Sequence, residues 1–171
     1  YDWITVYPKD ASGYLSGAIN KTYSMGYITY SNGGSPLYLS SAPTSTSFAI
    51  TGQYSINQPN IGIVAYLFAS CPGVSKVGSY TGTGATQTIS CGFTGGARFV
   101  LIKRTDSTGN WGVLDTARGM VSGTDPYLNL NTTAAEVNAN NVYTTTGGFQ
   151  LVSSDANFNA NGGSYIFLAV A

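Results

Sequence analysis

The chain has no histidine and few charges of either sign. Without an imidazole it lacks the commonest general base and the commonest metal ligand. Charged residues make up 8% of the 171 positions, with Lys and Arg totalling 7 and Asp and Glu totalling 7, against roughly 25% charged in ordinary soluble domains. No basic surface exists to neutralise phosphates, which argues against a nucleic-acid partner. No run of 18 or more apolar residues is present, so no membrane-spanning helix is expected. The chain opens on Tyr1 with no initiator Met and no signal segment, as a processed product or a fragment does. A neutral, charge-poor surface does little to hold copies apart, and so favours association.

Polarity comes instead from Gly, Ser, Thr, Asn and Tyr, with 22 Gly and 13 Tyr, while 43% hydrophobic and 13% aromatic content suffices to build a core. Tyr and Thr favour pleated, half-buried surfaces, and Gly and Asn favour turns. β-prone runs fall at 2–7, 27–30, 37–39, 48–51, 61–68, 76–80, 87–93, 98–104, 111–115, 127–130, 149–153 and 164–170. The nearly unbroken apolar run at 61–68 reads as a strand buried on both faces. No sustained 3.6-residue stripe appears; the nearest, 131–137, is short. The expected fold is all-β, an antiparallel β-sandwich or jelly-roll-like arrangement, as one composite domain or two related modules.

The chain also repeats itself. At an offset of 102, Ile56-Asn57 falls on Phe158-Asn159 and residues 63–69 fall on 165–171. Asn20-Lys21-Thr22 resembles Asn131-Thr132-Thr133, and Asp2-Trp3 resembles Asn110-Trp111. Residues 1–70 then read as an incomplete first repeat made of the back strands of a module. Residues 75–171 read as a complete second repeat.

The runs 75–84 (SKVGSYTGTG), 98–106 (RFVLIKRTD) followed by Gly109-Asn110-Trp111, 114–119 (LDTARG), 130–137 (LNTTAAEV) and 159–166 (NANGGSYI) carry a further signal. In this order they resemble a β-rich repeat module of tailed-phage tail and tail-fibre proteins, closely over 75–171 and more loosely over 1–70. The resemblance implies a structural repeat and brings no catalytic residue with it.

Several residues stand out, each with two readings. Cys71 and Cys91 flank a Gly-rich stretch. They fit no zinc spacing, but a bridge between them would stabilise by about 3 kcal/mol; the alternative is two free, buried thiols. Asn20 and Asn131 begin N-glycosylation sequons. Asp155-x-Asn157-x-Asn159-x-Asn161 spaces oxygens as a calcium loop does, yet lacks that motif's Gly and Glu, and so reads as a turn with Asx hydrogen bonds. Asp106 and Asp115 are either a glycan-cleaving carboxylate pair or partners in salt bridges with Arg104 and Arg118. Trp3, Trp111 and the tyrosines serve either sugar stacking or packing.

A sandwich short of strands leaves an open edge that templates pairing with another chain. The alternating N-terminal segment, with Trp3, Ile4, Val6 and Tyr7, is the candidate inter-subunit strand. The expectation is therefore a non-enzymatic structural subunit of an extracellular fibre, a phage tail fibre or a bacterial surface filament. It would polymerise head-to-tail with copies of itself by strand complementation and need no cofactor. The alternative is a lectin-like module whose partners are surface glycans.

Overall fold

Glycine and asparagine punctuate this chain so often that strands stay short, and β-branched and aromatic residues between them supply the pleated surfaces. The computed structural model describes residues 4–10, 13–29, 38–52, 57 and 59–171. Among the described residues there are eleven strands and no helix, and every ladder is antiparallel. The chain divides into two units, Tyr1–Ala18 with Met25–Leu67, and Ile19–Ser24 with Phe68–Ala171.

The first unit holds a three-stranded sheet in the order β1 (Ile4–Asp10), β2 (Gly13–Ala18), β3 (Gly26–Thr29). Its core is small. Tyr14 is fully buried with Tyr38 and Leu39, and Val6, Ile28 and Ile50 pack against them. The buried Tyr14 hydroxyl accepts the backbone N–H of Tyr38 at 2.6 Å and of Leu39 at 3.3 Å, so the ring's polar tip is satisfied where it is buried. Leu39 bridges Ile50, and the connecting turn is closed by the Thr44 hydroxyl accepting the N–H groups of Thr46 and Ser47.

The second unit is a two-sheet sandwich. One sheet has the order β4 (Ser75–Thr81), β11 (Ser164–Val170), β6 (Phe99–Arg104), β7 (Trp111–Asp115), β8 (Tyr127–Asn129). The other has the order β5 (Gln87–Ser90), β10 (Gly148–Leu151), β9 (Val142–Thr145). Side chains from both sheets share one core, with Val100, Ile102, Leu114 and Phe167 meeting Val142, Phe149 and Leu151. Phe149 and Phe167 meet edge to face at 5.2 Å. Tyr80 stacks on Tyr165 at 4.9 Å.

The segment between β10 and β11 is fastened inward at Phe158 and Asn159, both fully buried. Phe158 packs edge-on to Tyr127 at 5.1 Å. Asn159 uses its whole amide: Oδ1 accepts from Thr83 N–H and Gln87 Nε2, and Nδ2 donates to the carbonyls of Ala85 and Ser153. A buried amide with all its partners holds several loops in one register.

Three expectations change. Residues 61–68 form no strand: each is exposed and none joins a ladder. An apolar run becomes a buried strand only where neighbours receive it. The matching run, β11, has β4 and β6 on either side. Second, the N-terminal strand is not unpaired. β1 lies in register on β2 of its own chain, Val6 opposite Ser16 and Tyr7 opposite Leu15. Third, β2 and β9 are strands that lie outside the β-prone runs of the sequence.

Gly112 in β7 faces the Phe158 ring so closely that a Cβ there would collide with it. Gly112→Ala is expected to lower stability by about 1–3 kcal/mol, read as the urea midpoint. Adding Phe158→Leu should recover part of that loss, giving a non-additive pair.

Candidate functional site

The hairpin β6–β7 and the turns around it concentrate the chain's unusual side chains. Lys103 on β6 is 1% exposed. Its Nζ donates to the carbonyls of Thr22 at 3.0 Å and Gly109 at 2.6 Å. Thr22 O also accepts the N–H of Gly109 at 2.8 Å, so residues 19–24 are fastened to the hairpin at this point. Burial pushes the Lys103 ammonium down to about 8 from an ordinary value of 10.5.

Arg104, by contrast, is paired with Asp106 through two bonds, Nε to Oδ1 at 2.9 Å and Nη2 to Oδ2 at 3.2 Å. The guanidinium holds the Asp106 carboxyl below its usual range. Asp115 accepts the backbone N–H of Arg118 at 2.7 Å and its Nε at 3.0 Å, and Arg118 also reaches Glu136 at 3.5 Å. Asp115 lies opposite Phe99 at one end of the hairpin, and Asp106 lies beyond Arg104 at the other. Five residues of strand alone separate those ends by about 17 Å. That is too far for two carboxyls to flank one glycosidic bond. The salt-bridge reading describes these acids.

Asp155, Asn157 and Asn159 also spend their oxygens internally. Asp155 Oδ1 accepts the N–H of Asn157, Asn157 Oδ1 that of Asn110, and Asn159 Oδ1 that of Thr83. The segment is a set of Asx-type turns. Asp125 is a residue that sequence reasoning missed. It is fully buried, and Oδ2 accepts the N–H groups of Asn141 at 2.9 Å and Val142 at 2.7 Å, fixing the start of β9. Burial first, and the charge of Asp155 further down, raise its pKa. Nothing in the local sequence marks it beyond Asp-Pro at a turn.

The two sequon asparagines come together. Asn20, Leu130, Asn131, Thr132 and Thr133 line one open groove of about 530 Å³. Asn131 is engaged in the fold: Oδ1 accepts the Trp111 N–H at 2.8 Å and Nδ2 donates to Asn110 Oδ1 at 2.9 Å. A sugar on Nδ2 would leave that nitrogen a single N–H, the one the bond to Asn110 needs.

Cys71 and Cys91 are free thiols, not the bridge considered from their spacing. Cys71 is exposed on the turn that leads into β4, while Cys91 is buried in the sandwich core just after β5. Burial pushes the Cys91 thiol up to about 11. Trp111 is 3% exposed and is therefore a packing residue. Of the N-terminal candidates, Trp3 lies outside the described residues, Ile4 begins β1, and Val6 and Tyr7 are half-buried within it.

Fold and groove together define an all-β domain built on a two-sheet sandwich with a shallow open groove. The chain belongs to the DUF7483 family of domains of unknown function, whose model matches residues 17–171. No curated protein and no solved structure matches it. Among the described residues, no helix is long and apolar enough to cross a membrane.

The pKa of Lys103 gives a pH signature. Its folded value lies below its unfolded value, so between about pH 8 and 10.5 the unfolded chain binds more protons and stability rises with pH. Cys91, raised from 9.0 to about 11, works the other way from about pH 9, and the raised Tyr80, Tyr127 and Tyr165 do so above 10. Between pH 8 and 9 Lys103 should contribute a gain of about 1 kcal/mol. Urea unfolding at the two pH values should show that gain in the wild type relative to Lys103→Met.

Proposed function

We propose that the chain is a non-enzymatic structural subunit of an extracellular fibre, a phage tail fibre or a bacterial surface filament. Its copies are held together by β-strand pairing across subunit boundaries. One observation carries this reading: residues 61–68 present six large apolar side chains to solvent on a chain with few charges to oppose contact. Exposed apolar surface of this extent marks a protein partner. The resemblance of residues 75–171 to a phage tail repeat module supports the same reading. So does the engagement of Asp106 and Asp115 by arginine, which leaves neither in the role of a glycosidase acid.

A second reading, a lectin-like module, is favoured by the groove at Asn20 and residues 130–133. There amides and hydroxyls flank the half-exposed Leu130.

Size-exclusion chromatography and negative-stain electron microscopy over a concentration series should show association that grows into filaments. Leu67→Lys should abolish the polymers while leaving the thermal midpoint of the monomer within a few degrees, because Leu67 is 72% exposed. A monomer that stays monodisperse at all concentrations would overturn the fibre reading. Glycan-array binding that survives Leu67→Lys but disappears in Thr132→Ala and Thr133→Ala would establish the second.

A further inference from the structure

A three-residue likeness between β11 and the exposed segment, three positions out of the register of the offset-102 repeat, tells what kind of surface that segment fits. Its counterpart, β11, is read by β4 through a triplet: Tyr165 opposite Tyr80, Ile166 opposite Ser79 and Phe167 opposite Gly78. Gly78 matters to this pairing. A Cβ there would sit 2.7 Å from the Phe167 ring, so only glycine leaves the aromatic its place. The exposed segment carries the same succession, tyrosine then aliphatic then phenylalanine, as Tyr66-Leu67-Phe68.

β4 has a second side. It is the outermost strand of its sheet, with β11 on one flank only. On the outer flank Ser75 exchanges backbone hydrogen bonds with Cys71, and the Ser70 hydroxyl takes both backbone groups of Val77, at 3.1 Å and 3.2 Å. Strand alternation turns the N–H and C=O of Ser79 the same way as those of Val77. Ser79 has no ladder partner on that flank among the described residues.

We infer that residues 65–68 of one copy add as an antiparallel strand to the β4 edge of a second copy. Tyr66, Leu67 and Phe68 then lie opposite Tyr80, Ser79 and Gly78. β4 is then flanked on both sides by the same triplet. A second copy is favoured over the chain's own β4 because the Ser70 hydroxyl occupies Val77 and ends the chain's own ladder at the Cys71–Ser75 pair. Residues 61–70 carry no charge, and Lys76 is the sole charge on β4, so no like-charge contact opposes the pairing. Segment and edge are different surfaces, so the contact is heterologous and propagates head to tail. The inference rests on the reading of the chain as a self-assembling subunit. It moves the donated strand from the N-terminal segment, which its own β2 already holds, to the segment before β4.

Two proteins with one exposed cysteine each test it, both carrying Cys71→Ser and keeping the buried Cys91: Leu67→Cys and Ser79→Cys. Oxidation of the mixture should give covalent dimers, and oxidation of either protein alone should not. Dimers from Leu67→Cys alone would show segments pairing with each other and overturn the proposal. Bridging only within a chain carrying both substitutions, or no bridging at all, would overturn it equally. Wild-type filaments without this cross-link would sink the contact and leave the fibre reading standing. Cross-linked pairs that never lengthen into polymers would do the reverse.

Discussion

The sandwich depends on the seating of β11 between β4 and β6. It is the only strand of its sheet to reach these two, Tyr165 to Val170 being paired on both sides. Five consecutive residues, Tyr165 to Ala169, are buried. One face of the strand supplies Tyr165, Phe167 and Ala169 to the core shared with β9 and β10, while Ile166 and Leu168 are buried on the other. Strands buried on both faces read as continuous apolar runs, and this one does. Without it β4 would have no partner in the sheet, and the Tyr80–Tyr165 stack and the Phe149–Phe167 contact would be lost together.

Polar cohesion in this molecule comes from amides and hydroxyls rather than charges. Asn159, Asn131 and Asn157 each join segments distant in the chain, and their bonds lie between 2.7 and 2.9 Å. Lys103 follows the same logic with two carbonyls and no carboxylate. Neutral partners satisfy buried groups at a lower desolvation cost than ion pairs do. A chain with 8% charge can therefore still fix its loops.

The all-β class and the edges of β4, β6, β7 and β11 were legible because β-branched and aromatic runs there end at glycine. β2 was not, since Gly-Tyr-Leu-Ser-Gly-Ala is mostly small residues with no alternation. It is a strand because Tyr14 anchors it in the first unit's core. β9 carried its signal openly in Val142-Tyr143-Thr144-Thr145, and its asparagine- and threonine-rich surroundings masked it. The run at 61–68 shows the opposite limit: composition records that a segment can be a central strand, not whether its neighbours exist. The sequons were visible as motifs, but their meeting in one groove depends on tertiary contacts. The burial of Lys103 was hidden by its position next to Arg104, which does face solvent and an acid.

The seating of β11 has a consequence for synthesis. Tyr165 pairs with Arg104, 61 positions earlier, and with Tyr80, earlier still. On the ribosome both receiving strands emerge with a vacant edge between them and wait through four further strands, β7 to β10, for the one that fills it. Pairing of such long range forms slowly and leaves apolar strand edges in water meanwhile. Neighbouring nascent chains on one messenger would each present that same vacancy. A protein of this design has reason to be made sparsely, or in the company of a chaperone that covers strand edges.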